Sequence, residues 1–169
     1  MEELIAFRVQ QTLFENDYTQ FSKKLKAVKA AKAAYIVLAV FMLLLAGVMA
    51  YWEEYAQVVI FIVFAAVIVA LAYSYPSILG KNLYKNTIKL QNANPIFNEI
   101  VFCENHIFDN SKNSSITFEY SQIEKIIETQ NHFLLMITNS SGLIVKKDSF
   151  IQGDISQFRG FIASKSHIF

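Results

Sequence analysis

The chain contains a single cysteine, Cys103, among its 169 residues. It therefore cannot close an intramolecular disulfide, which is compatible with a reducing compartment. Its five glycines are scattered, so the sequence has no glycine-rich loop of the kind that cradles a phosphate. The three histidines, His106, His132 and His167, stand apart from any second ligand at metal-binding spacing. These shortages predict that the chain carries no metal or other cofactor.

Charged residues are also scarce, at 17% of the chain, and they nearly cancel to a net charge of +1. A chain without excess positive charge is not expected to bind nucleic acid. Among the carboxylates, Asp148 and Asp154 have turn and cap positions, and Glu128 has a position on a solvated strand face. The sequence therefore predicts no catalytic residue, and the protein is not expected to be an enzyme.

What the sequence does have is two long apolar runs, residues 33–52 and 56–75, with no charged residue in either. About 20 helical residues rise roughly 30 Å, the thickness of the hydrocarbon core of a bilayer. Buried helices of a soluble protein are the alternative, but a chain this short could not cover the whole circumference of both helices. We therefore expect a transmembrane helical hairpin over residues 33–75.

The charges that flank the hairpin predict its orientation. Lysines are retained on the cytoplasmic side of a membrane, whereas the turn between the two runs carries only Glu53 and Glu54. Both termini of this multi-pass cell-membrane protein are therefore expected in the cytoplasm, with the lysines facing anionic lipid head groups. These juxtamembrane lysines are Lys23, Lys24, Lys26, Lys29, Lys32, Lys81, Lys85 and Lys89.

Residues 1–32 predict a strand followed by an amphipathic juxtamembrane helix. Ile5, Phe7 and Val9 alternate with more polar residues, which is the period of a half-buried strand. Asn16 or Asp17 then has the position of a helix cap. The apolar residues after it recur at spacings of three and four, at Tyr18, Phe21, Leu25 and Val28. This helix either lies against the inner leaflet or continues into the first span, and the sequence favours neither geometry.

The segment after the hairpin predicts a connecting helix and then a sheet. Pro76 and Ser77 form a helix-start pair, so we expect a connecting helix in residues 76–95. The period then becomes two, and Asp154 caps a final helix. Together with the first strand, this pattern predicts an α+β protein whose hairpin is inserted before a cytoplasmic antiparallel sheet of six or seven strands, a pleckstrin-homology-like domain in residues 96–169. Its predicted strands are 97–103, 107–110, 116–121, 125–129, 133–138 and 143–147.

Residues 118–150 carry a family resemblance. Phe118 to Ile123, Ile127 to Thr129, His132 to Leu134 and Val145 to Lys147 with Phe150 are similar to the C-terminal domain of bacterial YcxB-like proteins. Two positions depart from the family pattern: Tyr120 stands where Trp is usual, and Lys146 replaces the usual Pro. The resemblance implies the fold and the topology and implies no reaction.

We therefore expect a membrane-anchored module that binds a partner, either anionic lipid head groups or a membrane-associated protein. An exposed sheet edge could receive a peptide strand. The candidate binding residues are Lys125, His132, Lys146 and Lys147.

The alternative is a structural or transport-associated subunit that acts through its hairpin. Ala46 with Ala50, and Ala66 with Ala70, provide small helix faces that favour packing within the hairpin over assembly into a homo-oligomer. The oligomeric state is left open.

Overall fold

A computed structural model of the chain describes residues 4–166. His167, one of the three histidines considered above, lies outside the described residues. The helices are α1 (Glu15–Ser22), α2 (Lys26–Tyr51), α3 (Tyr55–Gln91) and α4 (Ile155–Lys165). The strands are β1 (Ile5–Leu13), β2 (Ile96–Cys103), β3 (His106–Ser111), β4 (Ser114–Glu119), β5 (Lys125–Glu128), β6 (His132–Met136), β7 (Gly142–Lys146) and β8 (Phe150–Gln152).

The strands of residues 4–166 form two antiparallel sheets, where the sequence pattern predicts one. The larger sheet has the order β4-β3-β2-β1-β8 and the smaller has the order β5-β6-β7. The predicted N-terminal strand is confirmed: β1 pairs with β2 along its length, from Ile5 opposite Cys103 to Leu13 opposite Ile96. The short strand β8, which the sequence did not predict, pairs with the other side of β1.

The main core lies between the two sheets and α4. The ring of Phe158 on α4 is fully buried, and its centroid lies about 5 Å from the rings of Phe102, Phe133 and Phe150. The predicted cap of this helix is confirmed, since the Asp154 side chain accepts a hydrogen bond of 2.8 Å from the Ser156 N–H. Helix α4 therefore closes the space between the sheets.

A second core joins the helices to the smaller sheet. Every residue of β6 is buried, because one face of the strand meets the main core and the other meets the helices. The side chains on that second face contact α1, the first turn of α2 and the part of α3 that follows the apolar run. The buried members of this junction core are Leu13, Phe21, Leu25, Val28, Tyr84, Ile96, Leu134, Met136 and Ile144.

The N-terminal helix differs from its prediction in both cap and length. Phe14 is the N-cap, and Asp17 accepts the Phe14 N–H through its side chain at 2.9 Å from inside the first turn. The helix ends at Ser22, and the chain turns through Lys23 and Lys24 before α2 begins at Lys26. Because of this turn, α1 is not continuous with the first apolar helix.

Helix α3 is one helix of 37 residues where the sequence predicts a span and a separate connecting helix. Pro76 lies inside it, although a proline removes one backbone donor and usually ends or kinks a helix. Helix α1 packs against this region, and the Ser22 hydroxyl donates to the Pro76 carbonyl at 2.6 Å. Close approach requires Gly80, since a Cβ there would lie 2.5 Å from the Thr19 Cα.

Helices α2 and α3 form a hairpin around a turn at Glu53, which has a φ of 62°. Within residues 4–166 these are the two helices long and apolar enough to cross a membrane, and only 11% of the most apolar window of each is buried. They pack through Ala39 and Ala46 on α2 and Ala65 and Ala72 on α3. The expectation that Ala50, Ala66 and Ala70 serve this packing is wrong, since all three are exposed.

Candidate functional site

The four residues predicted to form a binding surface do not lie together on one face. Lys125 is exposed on the edge strand β5, whereas the His132 side chain is buried on the central strand β6. The Lys146 ammonium donates to the Thr12 carbonyl at 3.3 Å, and Lys147 pairs with Glu128. Of the four, only Lys125 projects into solvent without a polar contact to residues 4–166.

His132 instead forms a buried pair with Asp17. The His132 Nε2 lies 2.9 Å from Asp17 Oδ1, and the two side chains are 4% and 9% exposed. Asp17 belongs to α1 and His132 to β6, so the pair links the helices to the smaller sheet next to the junction core. The sequence pattern predicts a helix cap at Asn16 or Asp17 only through residue type, and it contains no signal that Asp17 has a partner 115 residues away.

The surroundings of Asp17 favour its ionised form. Burial raises the pKa of the Asp17 carboxyl, but the hydrogen bonds from His132 and the Phe14 N–H and the charge on Lys146 outweigh it. The pKa therefore lies below its ordinary value of 3.8. A carboxylate held in this way is a structural anchor, because both of its oxygens are engaged.

Glu128 lies between two cations on the surface near α4. Lys147 Nζ approaches Glu128 Oε1 to 2.6 Å, and Arg159 donates to Oε2 at 3.3 Å. The hydrogen bond from Lys147 lowers the pKa of the Glu128 carboxyl. Lys147 also lies 4.8 Å from the centroid of the Phe133 ring. Lys147, which follows β7, therefore reaches across β6 to Glu128 at the end of β5, and Arg159 joins α4 to the same carboxylate.

The buried side chain of Gln11 bridges the two sheets. Its Nε2 donates to the Ile144 carbonyl at 2.6 Å, and its Oε1 accepts the Lys146 N–H at 2.8 Å. A proline, which the family resemblance places at position 146, has no N–H to donate. The lysine at this position therefore permits a hydrogen bond between β1 and β7. Tyr120 stands where Trp is usual in the family. Its buried hydroxyl has a hydrogen-bond partner, since it donates to the Cys103 carbonyl at 2.6 Å.

The pKa of the partly buried Asp109 carboxyl on β3 shifts in the opposite direction to that of Asp17. Burial raises the pKa of Asp109, and the hydrogen bond of 2.9 Å from Asn98 Nδ2 offsets this only in part. Asn98 Oδ1 is buried as well and finds no donor among residues 4–166. This pair lines a cavity of about 250 Å³ with Tyr18 and Gln91.

Replacing Asp109 with asparagine is expected to raise the free energy of unfolding at pH 7 by about 1 kcal/mol. The amide removes a desolvated charge and offers a donor to Asn98 Oδ1. The raised pKa means that an ionised Asp109 destabilises the folded state. The stability gained by the asparagine variant should therefore be largest above the folded-state pKa of Asp109 and should shrink as the pH falls toward about 4. Unfolding titrations of the full chain at both pH values measure it, and a loss of stability at pH 7 would contradict this account.

Four lysines from separate parts of the chain line one cleft between the helices and the smaller sheet. Lys24 lies in the turn before α2, Lys26 and Lys29 in its first turns, and Lys125 on β5. The cleft has a volume of about 150 Å³. The other juxtamembrane lysines lie elsewhere: Lys81 approaches Glu15 at 3.5 Å, Lys32 lies 4.0 Å from the centroid of the Tyr73 ring, and Lys23, Lys85 and Lys89 are exposed.

Comparison with known proteins identifies the part of the chain that contains most of the two sheets. Residues 102–162 match the family model described as YcxB-like protein. A search of the curated proteins and a search of the solved structures found no match. The matched segment runs from the end of β2 into α4 and includes all of β3 to β8. The resemblance read from residues 118–150 is thereby confirmed: residues 102–162 of this chain are similar to the YcxB-like family.

Proposed function

We propose that the chain is a bacterial inner-membrane protein that presents a cytoplasmic, pleckstrin-homology-like module and acts by binding, without catalysis. The hairpin of α2 and α3 anchors it, both termini are cytoplasmic, and the two sheets stand at the inner leaflet. Two antiparallel sheets with a C-terminal helix between them support the comparison with pleckstrin-homology-like domains.

The observation that carries this proposal is the junction core. The apolar contact between β6, α1 and α3 packs the sheets against the base of the hairpin. An anchored domain meets partners in the same membrane at a raised effective concentration. A module held in a fixed orientation also presents the same surface to the membrane at all times.

The edge strand β4 is the part of the module that best suits a protein partner. Among residues 4–166, β4 pairs with β3 on one side only. An unpaired strand edge is a template for another strand. Ile116 in the middle of β4 is 48% exposed, so the edge offers an apolar contact as well as backbone groups.

The orientation is tested by labelling single cysteines in intact cells, with Cys103 replaced by alanine. A membrane-impermeant maleimide should modify Glu53→Cys in intact cells and Ser140→Cys only after the membrane is opened. Modification of Ser140→Cys in intact cells would contradict the proposal.

The binding role is tested in the same cells by cross-linking and purification of the full chain. Ile116→Lys should reduce the recovered partner about tenfold, because it places a charge on the strand edge. Ile151→Lys is the matched control, since Ile151 is 55% exposed on the opposite edge strand β8. Equal recovery with both variants would favour the hairpin as the interacting surface.

A further inference from the structure

The lysine cleft has the form of a binding site assembled from two structural units. One wall comes from the turn between α1 and α2 and the start of α2, and the other comes from β5 and the turn after β6. Its floor includes Ile127 and Met136, which belong to the junction core or pack against it. The lysines therefore surround an apolar floor, and the distance between the walls is fixed by that core.

The positive charge in the cleft is not neutralised within the described chain. Residues 4–166 provide no ion pair to Lys24, Lys26, Lys29 or Lys125, although Glu124 lines the same cleft. The four lysines and one glutamate leave a formal charge of +3 at this site. By contrast, the lysines at positions 81 and 147 each have a carboxylate partner.

The start of α2 adds to this positive field. Among residues 4–166 no side chain caps the helix, whose N-cap is the apolar Leu25, and its first turn contains no acidic residue. The first backbone N–H groups of a helix carry partial positive charge and favour an anion.

The cleft lies at the level of the lipid head groups in the proposed orientation. Lys29 precedes the apolar run that begins at Ala33 by four residues, which is about 6 Å along the helix axis. The head-group layer on each side of a bilayer is roughly 5–7 Å thick. The Lys29 ammonium is therefore within reach of lipid phosphates, and Lys26 stands one turn further out.

We infer that this cleft binds the phosphate of an anionic phospholipid of the inner leaflet. The lysines pair with the phosphate, and the apolar floor contacts the glycerol and the upper acyl chain. Free inorganic phosphate also offers anionic oxygens to the lysines but provides nothing for the apolar floor. This inference rests on the proposed function, since it requires the sheets to face the cytoplasmic leaflet.

The test is native mass spectrometry of the full chain purified in mild detergent with equimolar phosphatidylglycerol and phosphatidylcholine. The unmodified protein should retain phosphatidylglycerol preferentially. The double variant Lys29→Gln with Lys125→Gln should reduce that preference about tenfold, because it removes one lysine from each wall. Lys85→Gln with Lys89→Gln is the matched control, since it removes the same charge about 15–21 Å beyond the end of the second apolar run.

An equal reduction in both double variants would overturn the inference, because it would show attraction to surface charge in general. Displacement of the lipid by millimolar inorganic phosphate would also overturn it, by showing that the cleft recognises phosphate alone. The cysteine labelling described above distinguishes a failure of this inference from a failure of the proposed function. A correct orientation without selective lipid binding rejects only this inference, whereas labelling of Ser140→Cys from outside rejects the proposed function as well.

Discussion

Replacing Asp17 with alanine is expected to lower the free energy of unfolding by about 3 kcal/mol. The substitution removes the buried partner of His132 and the acceptor of the Phe14 N–H at the start of α1. His132 would then be buried without its partner, the Phe14 N–H would lose its acceptor, and the link between α1 and β6 would be lost. An unfolding titration of the full chain in detergent measures the effect.

The same substitution should change how stability depends on pH. The folded state holds the pKa of Asp17 below 3.8, so the carboxylate stabilises the fold above its unfolded pKa. This contribution is lost as the pH falls through the folded pKa. The alanine variant lacks it, so the difference between the two proteins should narrow below about pH 4.

Asp148→Ala is the control for Asp17→Ala. Asp148 is exposed, and its Oδ1 accepts a hydrogen bond of 2.9 Å from the hydroxyl of the neighbouring Ser149. Its removal should change the free energy of unfolding by less than about 0.5 kcal/mol. If the two alanine variants were equally stable, the buried pair would have no structural role.

Replacing Gly80 with alanine is expected to lower the free energy of unfolding by about 2–3 kcal/mol. The new Cβ would lie 2.5 Å from the Thr19 Cα and 2.8 Å from the Thr19 backbone nitrogen. Backbone atoms cannot move aside as a flexible side chain can, so α1 must shift away from α3. That shift also lengthens the hydrogen bond from Ser22 to Pro76. Thermal unfolding in detergent compares the variant with the unmodified protein.

Two other helical glycines provide matched controls for Gly80→Ala. Nothing lies within 4 Å of a Cβ built at Gly47 or at Gly160. Alanine at either position should raise the free energy of unfolding by about 0.5–1 kcal/mol, because glycine is the poorer helix former. Destabilisation by all three substitutions would show that the effect at Gly80 does not arise from its contact with Thr19.

Local sequence patterns predicted where the helices and strands lie better than they predicted which strands pair. The predicted strands after the hairpin lie within a few residues of β2 to β7, because apolar residues and the turns between them mark each strand locally. These patterns could not assign the strands to two sheets, since the pairing of β1 with β2 joins residues about 90 positions apart. The short strand β8 was missed because three residues are too few to show a period.

The sequence predicted which kinds of residue form the candidate site but not which of them lie together. The sequence showed which lysines flank the two apolar runs, but grouping Lys24, Lys26 and Lys29 with Lys125 depends on the turn at residues 23–25. No glycine or proline marks that turn. Likewise, the sequence predicts His132 on a surface, since nothing near it in the chain indicates that α1, more than 100 residues earlier, covers it.

The unbroken length of α3 has a mechanical consequence. Its 37 residues extend about 55 Å, and about 25 Å of that length would stand outside a bilayer's hydrocarbon core. Helices adjust their tilt to the local thickness of the bilayer. A change in tilt of about 10° would carry the outer end of this rod sideways by about 4 Å. Because the sheets pack against this helix, a thinner or thicker membrane would move the whole module together with the outer end of α3.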